Sequence, residues 1–333
     1  MHTPETEADV ARQIERLATL RRAIATAVVG QEAVVEQLLI GLLAGGHCLI
    51  EGVPGLGKTL LVRSLAQALD LDFRRVQFTP DLMPSDLLGA ELLEEDRGTG
   101  HRAFRFQKGP VFTHLLLADE LNRTPPKTQA ALLEAMAERT VSYAGTTHTL
   151  PAPFFVLATQ NPLEQAGTYP LPEAQLDRFL LHVKVAYPEE SEEREILRQT
   201  TGSASAAVPR VMDAGDVLAA QALAREIHVG DDLLTWITRL VRASRPDDAL
   251  APAAVRSYVR WGAGPRAGQS LVLASKARAL LQGRLAATRE DVAALAAPVM
   301  RHRLLLSFAA EAEGKQADEV VAALLLAVPF PDR

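Results

Sequence analysis

The first rhythm along the chain is helical. Ile14, Leu17, Leu20 and Ile24 recur at three- and four-residue intervals with Arg and Glu between them, the spacing of a helix with one apolar face. From residue 48 onward short apolar runs appear, each bounded by turn or breaker residues: Cys48 to Ile50, Val76 to Phe78, Leu115 to Ala118, Phe154 to Ala158 and Leu180 to Val185. Runs this short and this apolar read as strands. Helical stretches alternate with them, at Leu60 to Leu69 and at Pro125 to Ala137, the second with Thr124 as its expected N-cap and proline in the first turn. Such alternation predicts crossover connections, and therefore an α/β fold with a five-stranded parallel sheet covered by helices on both faces.

After Tyr187-Pro188 the apolar residues follow only helical spacing. The pattern predicts an α/β domain over residues 1–186 and a smaller all-helical domain over 187–333, in keeping with a length of 333 residues. The segment from Thr200 to Pro209, rich in Ser, Ala, Thr and Gly, reads as a flexible connection. Two irregular insertions interrupt the first domain. One covers 80–107 and has an acidic, Gly-rich tip at Glu94 to Gly100; the other covers 141–150 and has the marks of a hairpin turning near Gly145.

Charge and cysteine usage narrow the class. A net charge of -6 gives no global attraction to a phosphate backbone, so nucleic acid is not an expected partner. The pairs and triplets of positive residues, Arg74-Arg75 and Arg301-His302-Arg303, read as solvated faces or ion pairs. The single cysteine, Cys48, has no partner for an intrachain disulfide or a structural zinc site, and its apolar setting points to a buried, inert thiol. The acidic stretch Met1 to Val10 lacks the basic start and apolar core of a signal peptide, and the longest apolar run, Val320 to Val328, is too short to cross a bilayer. The expectation is a cytoplasmic protein.

The chemistry is concentrated at strand ends. Gly52-Val53-Pro54-Gly55-Leu56-Gly57-Lys58-Thr59 satisfies G-x-x-x-x-G-K-[ST] between an expected strand and an expected helix, which is the context that motif requires. Its glycines let successive N–H groups turn toward phosphates, and the helix N-terminus adds partial positive charge. Lys58 is expected to reach the β and γ phosphates of ATP, and Thr59 to ligate Mg2+. The cofactor-binding set is thus Gly52, Pro54, Gly55, Leu56, Gly57, Lys58, Thr59 and Leu60. The apolar run Leu115 to Ala118 ends in Asp119-Glu120, putting one carboxylate where it can hold the metal and a second where it can polarise a water. Asn161, at the end of the run Phe154 to Ala158 and Thr159-Gln160, offers a neutral amide that can orient that water. Read alone, Asn before Pro is also a common turn, Arg178 can be a surface residue paired with Asp177, and Arg266 can be solvated.

Taken together these blocks resemble the MoxR family of AAA+ ATPases, over a span from about Val28 to the C-terminal region. The most specific stretches are Gln77 to Asp86 (QFTPDLMPSD), Leu116 to Arg123 (LLADELNR), Ala158 to Pro162 (ATQNP) and Gly167 to Phe179 (GTYPLPEAQLDRF). Two positions depart from the family pattern, Leu121 where isoleucine is expected and Met83 where leucine is usual; both conserve apolar volume. The resemblance implies that Asn161 is the sensor 1 residue, that Arg178 is an arginine finger reaching a neighbour's ATP, that Arg266 in Gly264 to Ala267 is sensor 2 on the lid, and that Val29, Gly30 and Gln31 pack near the adenine. A finger from a neighbour implies a homo-oligomer, with a hexameric ring usual in the superfamily. The insertions are similar to the helix 2 insert and the pre-sensor 1 hairpin, which line the pore side.

The family likeness further implies a chaperone-like remodeller that assembles other complexes or inserts metal cofactors into them. Such proteins are often paired with a protein carrying a von Willebrand factor A domain. The chain has no D-x-S-x-S motif of its own, so that partner is expected as a separate protein. Three other readings compete: an AAA+ motor of the magnesium chelatase or DNA-remodelling type, a nucleotide-gated scaffold with negligible turnover, and a small-molecule P-loop kinase. The acidic balance disfavours DNA. The joint presence of Lys58, Asp119, Glu120, Asn161 and Arg178 disfavours the scaffold, and the helical second domain disfavours the kinase.

Overall fold

In a computed structural model, residues 7–53, 55–95, 102–161, 167–201 and 208–331 are described. The chain runs through helices α1 (Glu7–Ala25) and α2 (Glu32–Leu43), strand β1 (Cys48–Glu51), helix α3 (Lys58–Ala68), strand β2 (Phe73–Gln77) and the short helix α4 (Pro84–Leu88). Strands β3 (Gly89–Glu95), β4 (Arg102–Lys108) and β5 (Leu115–Asp119) follow, then α5 (Pro126–Glu138), β6 (Thr140–Tyr143), β7 (Thr146–Thr149), β8 (Phe155–Gln160), α6 (Glu173–Leu176) and β9 (Leu181–Lys184). Helices α7 (Glu190–Thr201), α8 (Ala214–Glu226), α9 (Asp231–Ala243) and α10 (Ala253–Tyr258) come next, followed by β10 (Val259–Trp261), α11 (Pro265–Leu281), α12 (Arg289–Met300), β11 (Leu305–Leu306), α13 (Phe308–Ala312) and α14 (Ala317–Ala327).

The main sheet has five strands in the order β2-β5-β8-β1-β9, and every pairing is parallel. Alternate residues of one strand point to opposite faces, and both faces are buried in the central strands β5, β8 and β1. Cys48, Ile50, Leu115, Leu117, Phe155, Leu157, Leu181 and Val183 face a core shared with α1, α2, α3 and the C-terminal helices. Leu49, Leu116, Ala118, Val156 and Ala158 face the other core, closed by α5. That double burial is why the strands read as unbroken apolar runs. Cys48 is fully buried, and burial pushes its thiol up, which suits the inert role expected of it.

Several boundaries differ from the sequence reading. β2 starts at Phe73 rather than at Val76, because it is an edge strand whose Arg74 and Arg75 face outward and break the apolar run. α5 starts at Pro126, so its N-cap is Pro125 and not Thr124; Thr124 is extended and buried, its hydroxyl without a bond. The first insertion is not irregular: α4 leads into an antiparallel hairpin of β3 and β4. The acidic tip from Asp96 to Gly100 lies outside the described residues, as do 202–207 of the expected connection and Pro162. The second insertion is the expected hairpin, β6 and β7, turned by Ala144 and Gly145 at φ 46° and 81°. Two consecutive left-handed residues in a two-residue loop match the right-handed strand twist. Phe106 of the first hairpin stacks on His148 of the second with ring centroids 4.2 Å apart, which joins the two insertions.

The C-terminal part is not wholly helical. β10 and β11 pair antiparallel, a ladder made by residues far apart in sequence and too short to show a period. Among the described residues no helix is long and apolar enough to cross a membrane.

Candidate functional site

β1 delivers the chain to the phosphate loop, and α3 begins at Lys58. Gly55 and Gly57 lie at φ 89° and 69°, a left-handed backbone that favours glycine, and nothing stands within 4 Å of where a Cβ would be at either. The left-handed backbone and the open space at these two glycines suit the tight turn of a phosphate-binding loop. Pro54 lies outside the described residues. Lys58 Nζ folds back to donate to the carbonyl of Gly52 and, at 3.4 Å, to that of Val53. Burial holds the Lys58 ammonium below its ordinary pKa, and attraction to Asp119 and Glu120 partly opposes this, so the lysine lies within electrostatic reach of both acids. Thr59 is half-buried beside it, and Leu60 turns outward.

The segment before α2 is tied to this loop, because Gln31 Nε2 donates to the Leu56 carbonyl at 2.9 Å. Gly30, at φ 71°, sits against Glu192 of α7; a Cβ there would come within 2.5 Å of the Glu192 carboxyl carbon. Val29 is half-buried next to it.

At the tip of β5 one hydroxyl organises both acids. Thr159 Oγ1 donates to Asp119 Oδ1 at 2.6 Å and accepts the N–H of Glu120 at 2.8 Å. Glu120 is held at φ 58° and ψ 49°, an uncommon conformation for a non-glycine residue, and the Thr159 bond satisfies its N–H there. Asp119 Oδ2 accepts from Arg75 Nε at 3.1 Å and Nη2 at 2.7 Å, while Glu120 pairs with Arg123 at 2.9 Å. Asn161 is buried directly after β8. A hydroxyl at Thr59, a carboxylate at Asp119 and an open cradle form a donor set that fits a nucleotide phosphate with Mg2+.

Sequence reasoning gave Thr159, Arg75 and Arg123 no role. Thr159 reads as an ordinary β-branched strand residue, Arg75 belongs to the pair read as a solvated face or ion pair, and the pairings themselves depend on β2, β5 and β8 lying side by side.

The two remaining arginines lie elsewhere. Asp119 ends β5, and Lys58, Thr59, Glu120 and Asn161 follow the carboxyl ends of β1, β5 and β8. Arg178 precedes the amino end of β9, whose first residue, Leu181, is in register with Cys48. Four strand residues separate those two levels, about 13 Å at the usual rise. Arg178 is not paired with Asp177; its Nη1 donates to the Leu133 carbonyl of α5 at 2.5 Å. Arg266, in the first turn of α11, stands 3.9 Å from Asp177, so it keeps company with Arg178 rather than with the phosphate loop. Of the two readings of the triplet 301–303, ion pairing holds for both arginines, Arg301 with Asp318 at 2.9 Å and Arg303 with Asp177 at 2.7 Å, on a largely buried rather than solvated face. Arg301 bonds the His182 carbonyl, His302 the Phe179 carbonyl, and Arg303 is a buried partner of Asp177.

Residues 47–181 match the ATPase family associated with various cellular activities (AAA), and residues 251–324 match the AAA lid domain. The chain is 42% identical over 316 residues to a protein of Mycobacterium tuberculosis named Chaperone MoxR1, covering 94% of this chain and 82% of that one. It is 34% identical over 308 residues to Protein MoxR of Paracoccus denitrificans, covering 85% and 87%. A crystal structure of a candidate ATPase from Cytophaga hutchinsonii superposes with a TM-score of 0.90 at 40% identity, covering 97% of both chains.

Proposed function

The chain belongs to the MoxR family of AAA ATPases, and from that premise we propose that it hydrolyses ATP with Mg2+ in a ring, at sites each completed by the next copy. The observation that carries this is the division of the candidate groups between opposite ends of one sheet. Lys58, Thr59, Asp119, Glu120 and Asn161 stand at the carboxyl end, and Arg178 with Arg266 at the amino end, roughly 13 Å or more away along β1 and β9. No rotamer of an arginine closes that gap across a packed sheet, whereas a neighbour stacked on the amino-end side meets both arginines at once.

Within one such site Lys58 balances the charge of the β and γ phosphates, and Thr59 and Asp119 are the groups suited to hold the metal. Bound Mg2+ supplies charge neutralisation and orientation of the phosphates. Glu120 polarises the attacking water, Asn161 orients it, and Val29, Gly30 and Gln31 border the base. Arg178 from the neighbour stabilises charge that develops on transfer, an effect worth roughly a thousandfold or more where such a finger operates. Arg266 acts beside it.

The reading extends to a hexameric ring that remodels other protein complexes, in assembly or metal-cofactor insertion, together with a separate von Willebrand factor A domain protein. Support for the remodelling role comes from the chaperone name of the mycobacterial relative. The test is ATPase rate per subunit across protein concentration, with particle size followed under ATP. The rate is expected to rise as the larger assembly forms. Arg178→Ala is expected to keep ATP binding and lose that rise, and mixing it with Glu120→Gln subunits to restore part of the rate. A strictly monomeric protein turning over at a constant rate overturns the proposal.

A further inference from the structure

The most heavily bonded buried cation among the described residues is remote from the phosphate loop. Arg303, its side chain 3% exposed, donates through Nε to Asp177 Oδ1 at 2.7 Å. Its Nη2 reaches the carbonyls of Phe179 at 2.8 Å and Asp177 at 3.3 Å and the hydroxyl of Ser270 at 3.2 Å; its Nη1 reaches the carbonyls of Leu180 at 3.3 Å and Val299. One planar guanidinium thus binds the backbone immediately before and after Arg178, and at the same time binds α11, four residues on from Arg266, and α12. Its neighbour His302 adds a bond to the Phe179 carbonyl at 3.1 Å. On the far side of the same carboxylate, Asp177 Oδ2 faces Arg266.

A buried charge is a costly way to hold two elements together, since an apolar side chain of similar volume would stabilise the contact as well or better. What a guanidinium offers instead is a rigid fork of five N–H donors in fixed directions, which neither an apolar residue nor a lysine can imitate. Here that fork is spent on the segment carrying Arg178 and on the helix carrying Arg266. We propose that Arg303 is a positioning residue: it locks the Asp177–Leu180 segment to the lid, so that Arg178 and Arg266 reach the neighbouring copy's nucleotide as one rigid unit. This rests on the reading that Arg178 acts in trans.

The claim makes the effect of Arg303 directional. It should matter in the subunit that donates the finger and not in the subunit that receives it, whereas a purely structural residue matters equally in both. The experiment mixes Arg178→Ala subunits, which accept a finger, with Glu120→Gln subunits, which donate one, and measures the restored ATPase rate. Arg303→Met in the donor is expected to lower that rate about tenfold to a hundredfold, the scale set by an ångström of misplacement. The KM for ATP and the donor's own binding of a fluorescent ATP analogue should stay unchanged. The same substitution in the acceptor should leave the restored rate close to its starting value. Asp177→Asn, which loosens the clamp from its more exposed side, is the second variant should Arg303→Met not fold, with the same asymmetry expected at smaller size. Equal losses in donor and acceptor, or no loss in either, overturn the proposal. Absence of restoration with Arg303 intact is a different result, which removes the trans reading and this inference with it.

Discussion

Thr159→Val tests how the site is built. The substitution keeps the shape of a residue that is 1% exposed and exchanges only its hydroxyl for a methyl. Two bonds go with it, the 2.6 Å donation to Asp119 and the 2.8 Å acceptance from the Glu120 N–H. A bond to a charged partner is worth about 1.5–3 kcal/mol, and a buried donor left without an acceptor costs about 1–3 kcal/mol. The added methyl returns about 1 kcal/mol of apolar burial. The expected net loss is about 3 kcal/mol, read in urea unfolding as a lower midpoint at unchanged slope. Function should move in parallel, because Asp119 would be oriented by Arg75 alone and Glu120 would be free to leave its left-handed conformation. ATP turnover should then require more Mg2+ and reach a lower maximum. Thr159→Ser retains the hydroxyl and should stay within about 1 kcal/mol of the parent, the worth of one methyl. If serine and valine variants lose stability and Mg2+ response equally, the hydroxyl does not organise the acids and the reasoning fails.

Two further predictions concern buried charge. Asp291 is fully buried between Arg278 at 2.6 Å and Arg284 at 2.6 Å and also caps α12 through the Thr288 N–H at 2.8 Å; Asp291→Ala removes these three bonds but leaves Arg278 its Glu36 partner and Arg284 the Ala286 carbonyl, and is expected to cost about 2–3 kcal/mol, measurable as early melting of the C-terminal helices by hydrogen exchange. His47 is buried between the Met136 carbonyl and the Val156 N–H, and burial lowers its pKa from 6.5 to about 4. Its unfolded form therefore takes up a proton at a higher pH than its folded form. Stability is fully present above about pH 6.5 and is lost as pH falls toward 4, at about 1.4 kcal/mol per pH unit. Unfolding free energies from urea titrations at pH 7 and pH 5 should differ by about 2 kcal/mol from this group, and His47→Gln should flatten that pH dependence; an unchanged dependence in the variant would be against it.

The three central strands, β1, β5 and β8, were legible because they are buried on both faces, and β9 because one face is, which leaves a run of apolar residues no helix of that length would need. β2 was read short for the converse reason, since Arg74 and Arg75 sit on an open sheet edge and look like loop. The phosphate loop and the Asp119-Glu120 pair were legible because the work they are suited to depends on residues adjacent in sequence at a strand end. Thr159 was hidden because its partners are forty and thirty-nine residues away and meet it only when β5 and β8 align.

Arg303 marks the boundary most clearly. In the sequence, Arg301-His302-Arg303 is a basic triplet that reads as a solvated face or as ion pairs, with nothing to name the partners. In the structure it is the place where the last third of the chain grips the start of β9, a contact spanning more than a hundred residues. Local chemistry, strand and helix rhythm and the nucleotide motifs are short-range properties, and the sequence alone determined them. Which arginine faces solvent, which carboxylate it meets, and which end of the sheet it serves depend on contacts between distant segments, and only the tertiary structure decided those.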